Sequence, residues 1–83
     1  MTATTPTPYN HTTPDWMPLE RAVALAGIHP AQWHAVCAEF MWMYEEPLGV
    51  HHFKHRLTRR YLRLTIDTSA PACVRDLWEV RRG

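Results

Sequence analysis

The stretch that decides the predicted fold spans residues 19–44 and reads LERAVALAGIHPAQWHAVCAEFMWMY. Gly27 separates two runs in which apolar residues recur every three or four positions, the spacing of one face of an α-helix. We therefore predict a first helix that ends at Gly27 and a second helix that begins near Pro30 and extends to Tyr44. The apolar positions are Leu19, Ala22, Val23 and Ala26 in the first run, and Trp33, Val36, Cys37, Phe40, Met41 and Tyr44 in the second.

Two further helices are predicted in the second half of the chain. An apolar face at helical spacing begins at Val50 and favours a third helix that ends near Arg63. Residues 62–66 also alternate between apolar and polar side chains, so a shorter helix followed by an edge strand is the alternative. A last helix follows Pro71, with its own apolar face. Four helices with short connections predict a compact all-α domain with a helix-turn-helix-like start.

The length of 83 residues limits the chain to one small domain with a thin core. Six threonines and three prolines among residues 1–14 predict a disordered tail, and residues 15–83 form the single helical domain. No apolar run is long enough to span a membrane, and the N-terminus lacks the pattern of a secretory signal. These features predict a cytoplasmic protein without a membrane partner.

The two cysteines lie on apolar helical faces. Cys37 is on the second predicted helix and Cys73 on the last. Buried cysteines at such positions behave as small hydrophobic residues, so we expect two thiols in the core. A disulfide between the two helices is the alternative that the sequence leaves open.

Charge is divided unequally along the chain. Residues 1–50 contain one arginine and five acidic residues, a net charge of −4, whereas residues 51–83 contain eight basic and three acidic residues, a net charge of +5. On a helix, the basic residues after position 51 form one ridge for phosphate or for an acidic protein surface. A solvated face answered by nearby glutamates is the other interpretation. The predicted binding residues are His52, Lys54, Arg56, Arg59, Arg60 and Arg63.

Residues 20–36, ERAVALAGIHPAQWHAV, resemble the opening of helix-turn-helix DNA-binding domains of the MerR and excisionase type. Ala22 and Val23 match the paired small residues, Gly27 the turn, and the His29-Pro30 pair the start of the second helix. The resemblance implies DNA binding by a small regulator of the kind that accompanies mobile elements. The second helix departs from that pattern because it has no lysine or arginine, and we expect no basic wing after it. The basic ridge would then contact DNA in its place.

A second predicted surface comprises Trp42, Met41 and Met43, since tryptophan is enriched at interface hot spots. Either these residues form an exposed Trp-Met patch, or Trp42 covers the last helix. An exposed patch favours the alternative function, a phage-type small helical inhibitor or adaptor that binds a protein partner through the ridge and the patch. A third hypothesis is a homodimer in which the acidic face of one copy meets the basic face of another.

No group of residues predicts catalysis or cofactor binding. The cysteine at position 37 is expected to be buried, and no serine lies near a histidine and an aspartate. His51 and His55 have the spacing of metal ligands on one helical face, with Cys37 or His52 as a third, but this set falls short of a recognised zinc motif. We therefore predict a protein that is not an enzyme, with no metal, no cofactor and no small-molecule substrate.

Overall fold

Three helices and a three-stranded antiparallel sheet form the part of the chain that the structure describes. The structure is a computed structural model, and it describes residues 9–65 and 70–83. A short 3-10 turn, Pro14–Trp16, precedes α1. The elements are α1 Met17–Leu25, α2 Pro30–Cys37, β1 Phe40–Glu46, β2 Val50–His55, β3 Tyr61–Leu64 and α3 Ala70–Arg82, and the strands are paired in the order β1-β2-β3.

The prediction of an all-α four-helix domain is wrong. The second helix ends at Cys37 rather than at Tyr44, and the third predicted helix is replaced by β2 and β3. The run FMWMY at positions 40–44 is apolar throughout, so it satisfies a helical period as well as a strand. Its aromatic residues favour a strand once a partner strand is present, and β2 supplies that partner. The alternative prediction for residues 62–66, an edge strand, corresponds to β3, although Ile66 lies outside the described residues.

The first helix and its turn are as predicted. Gly27 has a φ of +78°, a left-handed conformation in which glycine carries no steric penalty. The side chain of His29 then caps α2 by accepting a hydrogen bond at Nδ1 from the amide of Ala31 at 3.0 Å. The indole of Trp33 donates to the carbonyl oxygen of Ile28 at 2.7 Å. These bonds fix the corner between α1 and α2.

The core lies between the helices and one face of the sheet. Cys37 and Cys73 are both buried thiols, in agreement with the prediction of core residues. The apolar faces of α1 and α3 meet the same side of the sheet, and every member of this core is at most 6% exposed. The core consists of Trp16, Leu19, Ala22, Val23, Val36, Cys37, Phe40, Phe53, Leu62, Leu64, Cys73, Leu77 and Val80.

The two turns of the sheet lie at opposite ends of β2. One is called the acidic turn here and comprises residues 45–49, the last two residues of β1 and its connection to β2; the other is the basic turn, residues 56–60, between β2 and β3. β2 has six residues, so about 17–20 Å separate the two turns. The sheet thus places Glu45 and Glu46 at one end of β2, and Arg56, Arg59 and Arg60 at the other.

The predicted disordered tail falls partly outside the described residues, since residues 1–8 are not among them. Within the described part, Tyr9 packs edge-on against Trp16, with ring centroids 5.3 Å apart. Its hydroxyl donates to Glu20 on α1, and burial together with this bond raises the pKa of Tyr9. Among the described residues, no helix has both the length and the hydropathy that a membrane span requires.

Candidate nucleic-acid interface

The structure does not place the predicted basic residues on one helix. His52 and Lys54 are on β2, Arg63 is on β3, and only the three arginines between them share the basic turn. In that turn three exposed arginines lie within five positions of sequence. The ridge is therefore replaced by a β-hairpin with the arginines Arg56, Arg59 and Arg60 at its end.

Backbone hydrogen bonds hold the basic turn in one conformation. The amide of His55 donates to the carbonyl oxygen of Arg60 at 2.9 Å. The amide of Arg59 donates to the carbonyl oxygen of His55 at 3.0 Å. Arg59 adopts a φ of +66°, which is uncommon for a residue with a side chain. A turn held from both sides presents its exposed arginine side chains from a fixed backbone.

The basic turn lies directly against the end of α2. The amide of Arg56 donates to the carbonyl oxygen of Glu39 at 2.8 Å, and Arg56 Nε donates to that of Ala38 at 3.1 Å. Ala38 is the C-terminal capping residue of α2. The β2–β3 hairpin therefore contacts the C-terminal end of α2.

His55 organises this junction, a role that no pattern in the sequence indicates. Its ring is 2% exposed, and Nδ1 accepts hydrogen bonds from the amides of Leu57 and Thr58, both at 3.2 Å. Because Nδ1 accepts two hydrogen bonds, it must be the nitrogen without a proton. The proton is therefore on Nε2, which donates to Glu39 Oε1 at 3.0 Å. One buried imidazole thus joins the basic turn to the start of β1.

Glu39 does not neutralise the arginines of the basic turn. The guanidinium of Arg81 at the end of α3 donates to both of its carboxylate oxygens, at 2.9 and 3.0 Å. This contact, followed by the hydrogen bond from His55, holds the pKa of Glu39 below its usual range despite partial burial. Within the described chain, Arg59, Arg60 and Arg63 are exposed and form no ion pair.

The other predicted basic residues are engaged on the outer face of the sheet. The ring of His52 stacks on Tyr44 with centroids 4.3 Å apart, and its Nε2 lies 2.8 Å from Glu46 Oε1. The ammonium group of Lys54 lies 5.5 Å from the ring centroid of Tyr61. These contacts direct His52 and Lys54 toward partners within the fold, away from the basic turn.

The predicted Trp-Met patch is not one surface. Trp42 packs against the core and donates its indole N–H to His51 Nδ1 at 3.0 Å. Trp42 pairs with Phe53, whereas Met41 pairs with Lys54. Met43 lies at a register shift between Trp42 and Tyr44. The strand therefore places Met41 and Trp42 on opposite faces of the sheet, so the three residues do not form one patch.

The exposed side of α2 combines small apolar residues with two polar side chains. Gln32 and His34 are exposed there, and the ring of His34 lies 5.2 Å from that of Tyr9. Lysine and arginine are absent from the sequence of this helix. Side chains of this type can contact base edges, but they do not neutralise phosphates.

One three-residue group has the spacing of metal ligands within the described part of the chain. Ligand atoms of Asp15, Glu45 and His51 lie within 4.8 Å of one another. The indole of Trp42 occupies Nδ1 of His51, so Nε2 carries the proton and lies 3.7 Å from Glu45 Oε2. A protonated nitrogen has no lone pair for a metal, so the arrangement favours a hydrogen-bonded histidine.

The group of His51, His55 and Cys37, considered from the sequence and not predicted as a metal site, is not assembled as a ligand set either. His55 Nε2 faces Glu39, and Cys37 is fully buried on α2. Burial, followed by the negative charge of Glu20, raises the pKa of the Cys37 thiol to about 12. A buried thiol with such a pKa is a poor metal ligand and a poor nucleophile.

Comparisons with known proteins give no evidence about function, so the contacts above are the basis for interpreting this protein. No protein-family model, curated protein or solved structure matches the chain.

Proposed function

We propose that this protein is a small non-enzymatic regulator that binds duplex DNA through α2 and the basic β2–β3 hairpin. The observation that carries the proposal is the contact of the basic turn with the end of α2, through Arg56 and the backbone of Ala38 and Glu39. A helix-turn-helix followed by a hairpin is the arrangement in which a wing contacts the phosphate backbone beside the helix.

The hairpin corrects an expectation drawn from the sequence. The sequence predicts no basic wing after the second helix, because the apolar spacing over residues 38–63 favours helices. With β2 and β3 in place of a helix, Arg59 and Arg60 lie at the end of a hairpin that follows the helix pair. The position of this hairpin directly after α2 supports the proposal.

The division of labour follows from charge. Phosphate neutralisation supplies most of the affinity for DNA, and α2 cannot supply it because it contains no lysine or arginine. The exposed arginines of the basic turn supply it in this proposal. Gln32 and His34 on α2 are then the side chains that can reach base edges.

The test is the salt dependence of binding to a random duplex, measured by fluorescence anisotropy. The slope of log K against log salt is negative, and each phosphate that a variant no longer neutralises should reduce its magnitude by about 0.9. We expect Arg59→Gly and Arg60→Gln each to produce such a decrease. Arg59→Gly is the cleaner variant, since glycine is favoured at a φ of +66° and the turn should be retained.

Arg75→Gln is the matched control, because Arg75 is an exposed arginine on α3 whose neighbour in the structure is Asp76. Its slope should equal that of the unmodified protein. Absence of binding at micromolar protein and low salt would reject the proposal, as would equal slopes for the Arg60→Gln and Arg75→Gln variants.

The alternative, an adaptor for an acidic protein surface, relies on the same arginines. A near-neutral isoelectric point of about 7.9 favours it. The Trp-Met patch no longer supports it, because Met41, Trp42 and Met43 do not share a face. An acidic homopolymer such as polyglutamate, used as a competitor in the anisotropy experiment, distinguishes general anion binding from preference for duplex DNA.

A further inference from the structure

A groove of about 530 Å³ opens beside the basic turn, between this turn and the last turn of α3. Its apolar surface comes from two side chains that are unusually exposed for their type, Leu57 at 82% and Trp78 at 38%. A volume of this size accommodates a few side chains of a partner. The residues that line this groove, called the Leu57 groove below, are Glu39, His55, Leu57, Trp78, Arg81 and Arg82.

The Leu57 groove is apolar with a cationic rim. Glu39 carries a charge there, but that charge is matched by the two hydrogen bonds from Arg81. The guanidinium of Arg81 also lies 5.2 Å from the ring centroid of Trp78. Arg82 is exposed and has no ion pair among residues 9–65 and 70–83. A partner with an apolar side chain flanked by carboxylates would complement this surface.

The acidic turn of the same protein has that composition. Leu48 is 98% exposed and adopts a φ of +72°, a conformation in which a leucine is uncommon. Glu45 and Glu46 precede it, and both are exposed. In an isolated chain Leu48 is exposed, so no apolar contact compensates for its strained backbone. Such strain is concentrated at functional sites.

The acidic turn and the Leu57 groove cannot meet within one chain, because they lie at opposite ends of β2. We propose that they meet between copies: Leu48 of one molecule enters the Leu57 groove of the next, against Leu57 and Trp78. The carboxylates of the acidic turn then approach Arg82. The occupant of the groove is thus residues 45–48 of a second copy of this chain.

This contact joins two different surfaces, so it is heterologous. In a dimer, one copy still has a free acidic turn and the other still has a free Leu57 groove. A single turn in a groove buries less area than a stable dimer requires, which makes the association weak and dependent on concentration. Self-association requires no DNA. It therefore holds or fails separately from the proposed DNA binding.

The experiment is sedimentation velocity without nucleic acid, over a concentration series up to about 1 mM. The weight-average sedimentation coefficient of the unmodified protein should rise with concentration. Leu48→Gly should weaken the association about tenfold or more, the effect of losing one buried leucine side chain. This variant should fold normally, because glycine is preferred at a positive φ.

A second variant addresses the other surface. Leu57→Glu places a carboxylate where the acidic turn should dock, at a side chain exposed enough for the fold to tolerate the change. Alone, it should associate at least about tenfold more weakly than the unmodified protein, as should Leu48→Gly, so each stays mostly monomeric at concentrations where the unmodified protein associates. A mixture of the two should form a one-to-one dimer, because the Leu48→Gly chain retains its groove and the Leu57→Glu chain retains its acidic turn.

Leu25→Ala is the control, since Leu25 is an exposed leucine on α1 outside both surfaces, and it should associate as the unmodified protein does. A monomeric unmodified protein throughout the series would overturn the proposal. So would Leu48→Gly associating as strongly as Leu25→Ala, or a mixture of the two variants that remains monomeric.

Discussion

Arg81 donates two hydrogen bonds to Glu39, one to each carboxylate oxygen, and so joins the last helix to the residue directly before β1, 42 positions away in sequence. His55 donates to the same carboxylate from β2. Three elements that are distant in sequence therefore share one partly buried anion. Charge-assisted bonds of this geometry are among the stronger polar contacts in proteins.

The stability of the fold should depend on the ionisation of Glu39. Its carboxyl pKa is lowered in the folded protein, so the ionised form stabilises that state above the ordinary value of 4.5. This contribution disappears as the pH falls through the lowered pKa. We expect Glu39→Gln to reduce the free energy of unfolding by about 1–3 kcal/mol at neutral pH and by much less near pH 2.

Urea denaturation followed by circular dichroism at the two pH values measures this difference. Glu79→Gln is the control, because Glu79 is exposed on α3 and has no ion pair among the described residues. A deficit of Glu39→Gln that stays constant down to pH 2 would contradict the role assigned to the carboxylate.

Cys37 should be inert toward thiol reagents in the folded protein. Its side chain is fully buried, and burial raises its pKa to about 12. Alkylation by iodoacetamide at pH 8, followed by mass spectrometry of the peptide, should be at least about 100-fold slower than in urea. Equal rates in the two conditions would show that the helix α2 opens readily and exposes this thiol.

The turn at Gly27 should require a residue without a Cβ for backbone reasons alone. A Cβ at this position would meet nothing within 4 Å, yet the φ of +78° is unfavourable for other residues. Gly27→Ala should lower the free energy of unfolding by about 1–2 kcal/mol. Gly27→Asn should cost less, because asparagine adopts this conformation more readily, and equal costs would point to packing instead. Thermal denaturation of the two variants gives the comparison.

Trp42 should contribute to the fold through its indole N–H as well as its apolar surface. Trp42→Phe retains much of the contact with the core but leaves His51 Nδ1 without its donor, at a cost of about 0.5–1.5 kcal/mol. The side-chain ¹⁵N shifts of His51 should report the change, since the tautomer with the proton on Nε2 loses its support. Unchanged shifts would show that another group fixes this imidazole.

The helices at the two ends of the domain could be predicted from the sequence, for a physical reason. In α1 and α3, apolar residues recur every three or four positions with polar residues between them. Gly27 marks the end of α1. Only one secondary structure fits such a pattern. The buried positions Leu19, Val23, Leu77 and Val80 follow directly.

The middle of the chain could not be predicted in this way. Phe40, Trp42 and Tyr44 belong to a continuous apolar run, which carries no period that separates a strand from a helix. The deciding interaction is the pairing of this run with β2, and it depends on residues about ten positions away. Propensity alone is a weak guide when a partner strand determines the outcome.

The candidate site shows the same division. The excess of arginine after residue 51 is visible in the sequence, and it does form an exposed basic end. The role of His55 is not visible in the sequence, because the turn after β2 brings Leu57 and Thr58 to it and the pairing of β1 with β2 brings Glu39. Charge can thus be counted from the sequence, whereas its arrangement depends on the strand register.

The register shift in β1 makes Met43 an extra residue, placed between Trp42, which pairs with Phe53, and Tyr44, which pairs with His52. Removal of one residue from a strand ordinarily transfers every later side chain to the opposite face. Here the shortened strand would keep all of its present partners, because the bulge already contains one residue too many. The chain can therefore shorten by one amino acid at this position without inverting the sheet, and related sequences that differ in length within β1 should carry their gap there.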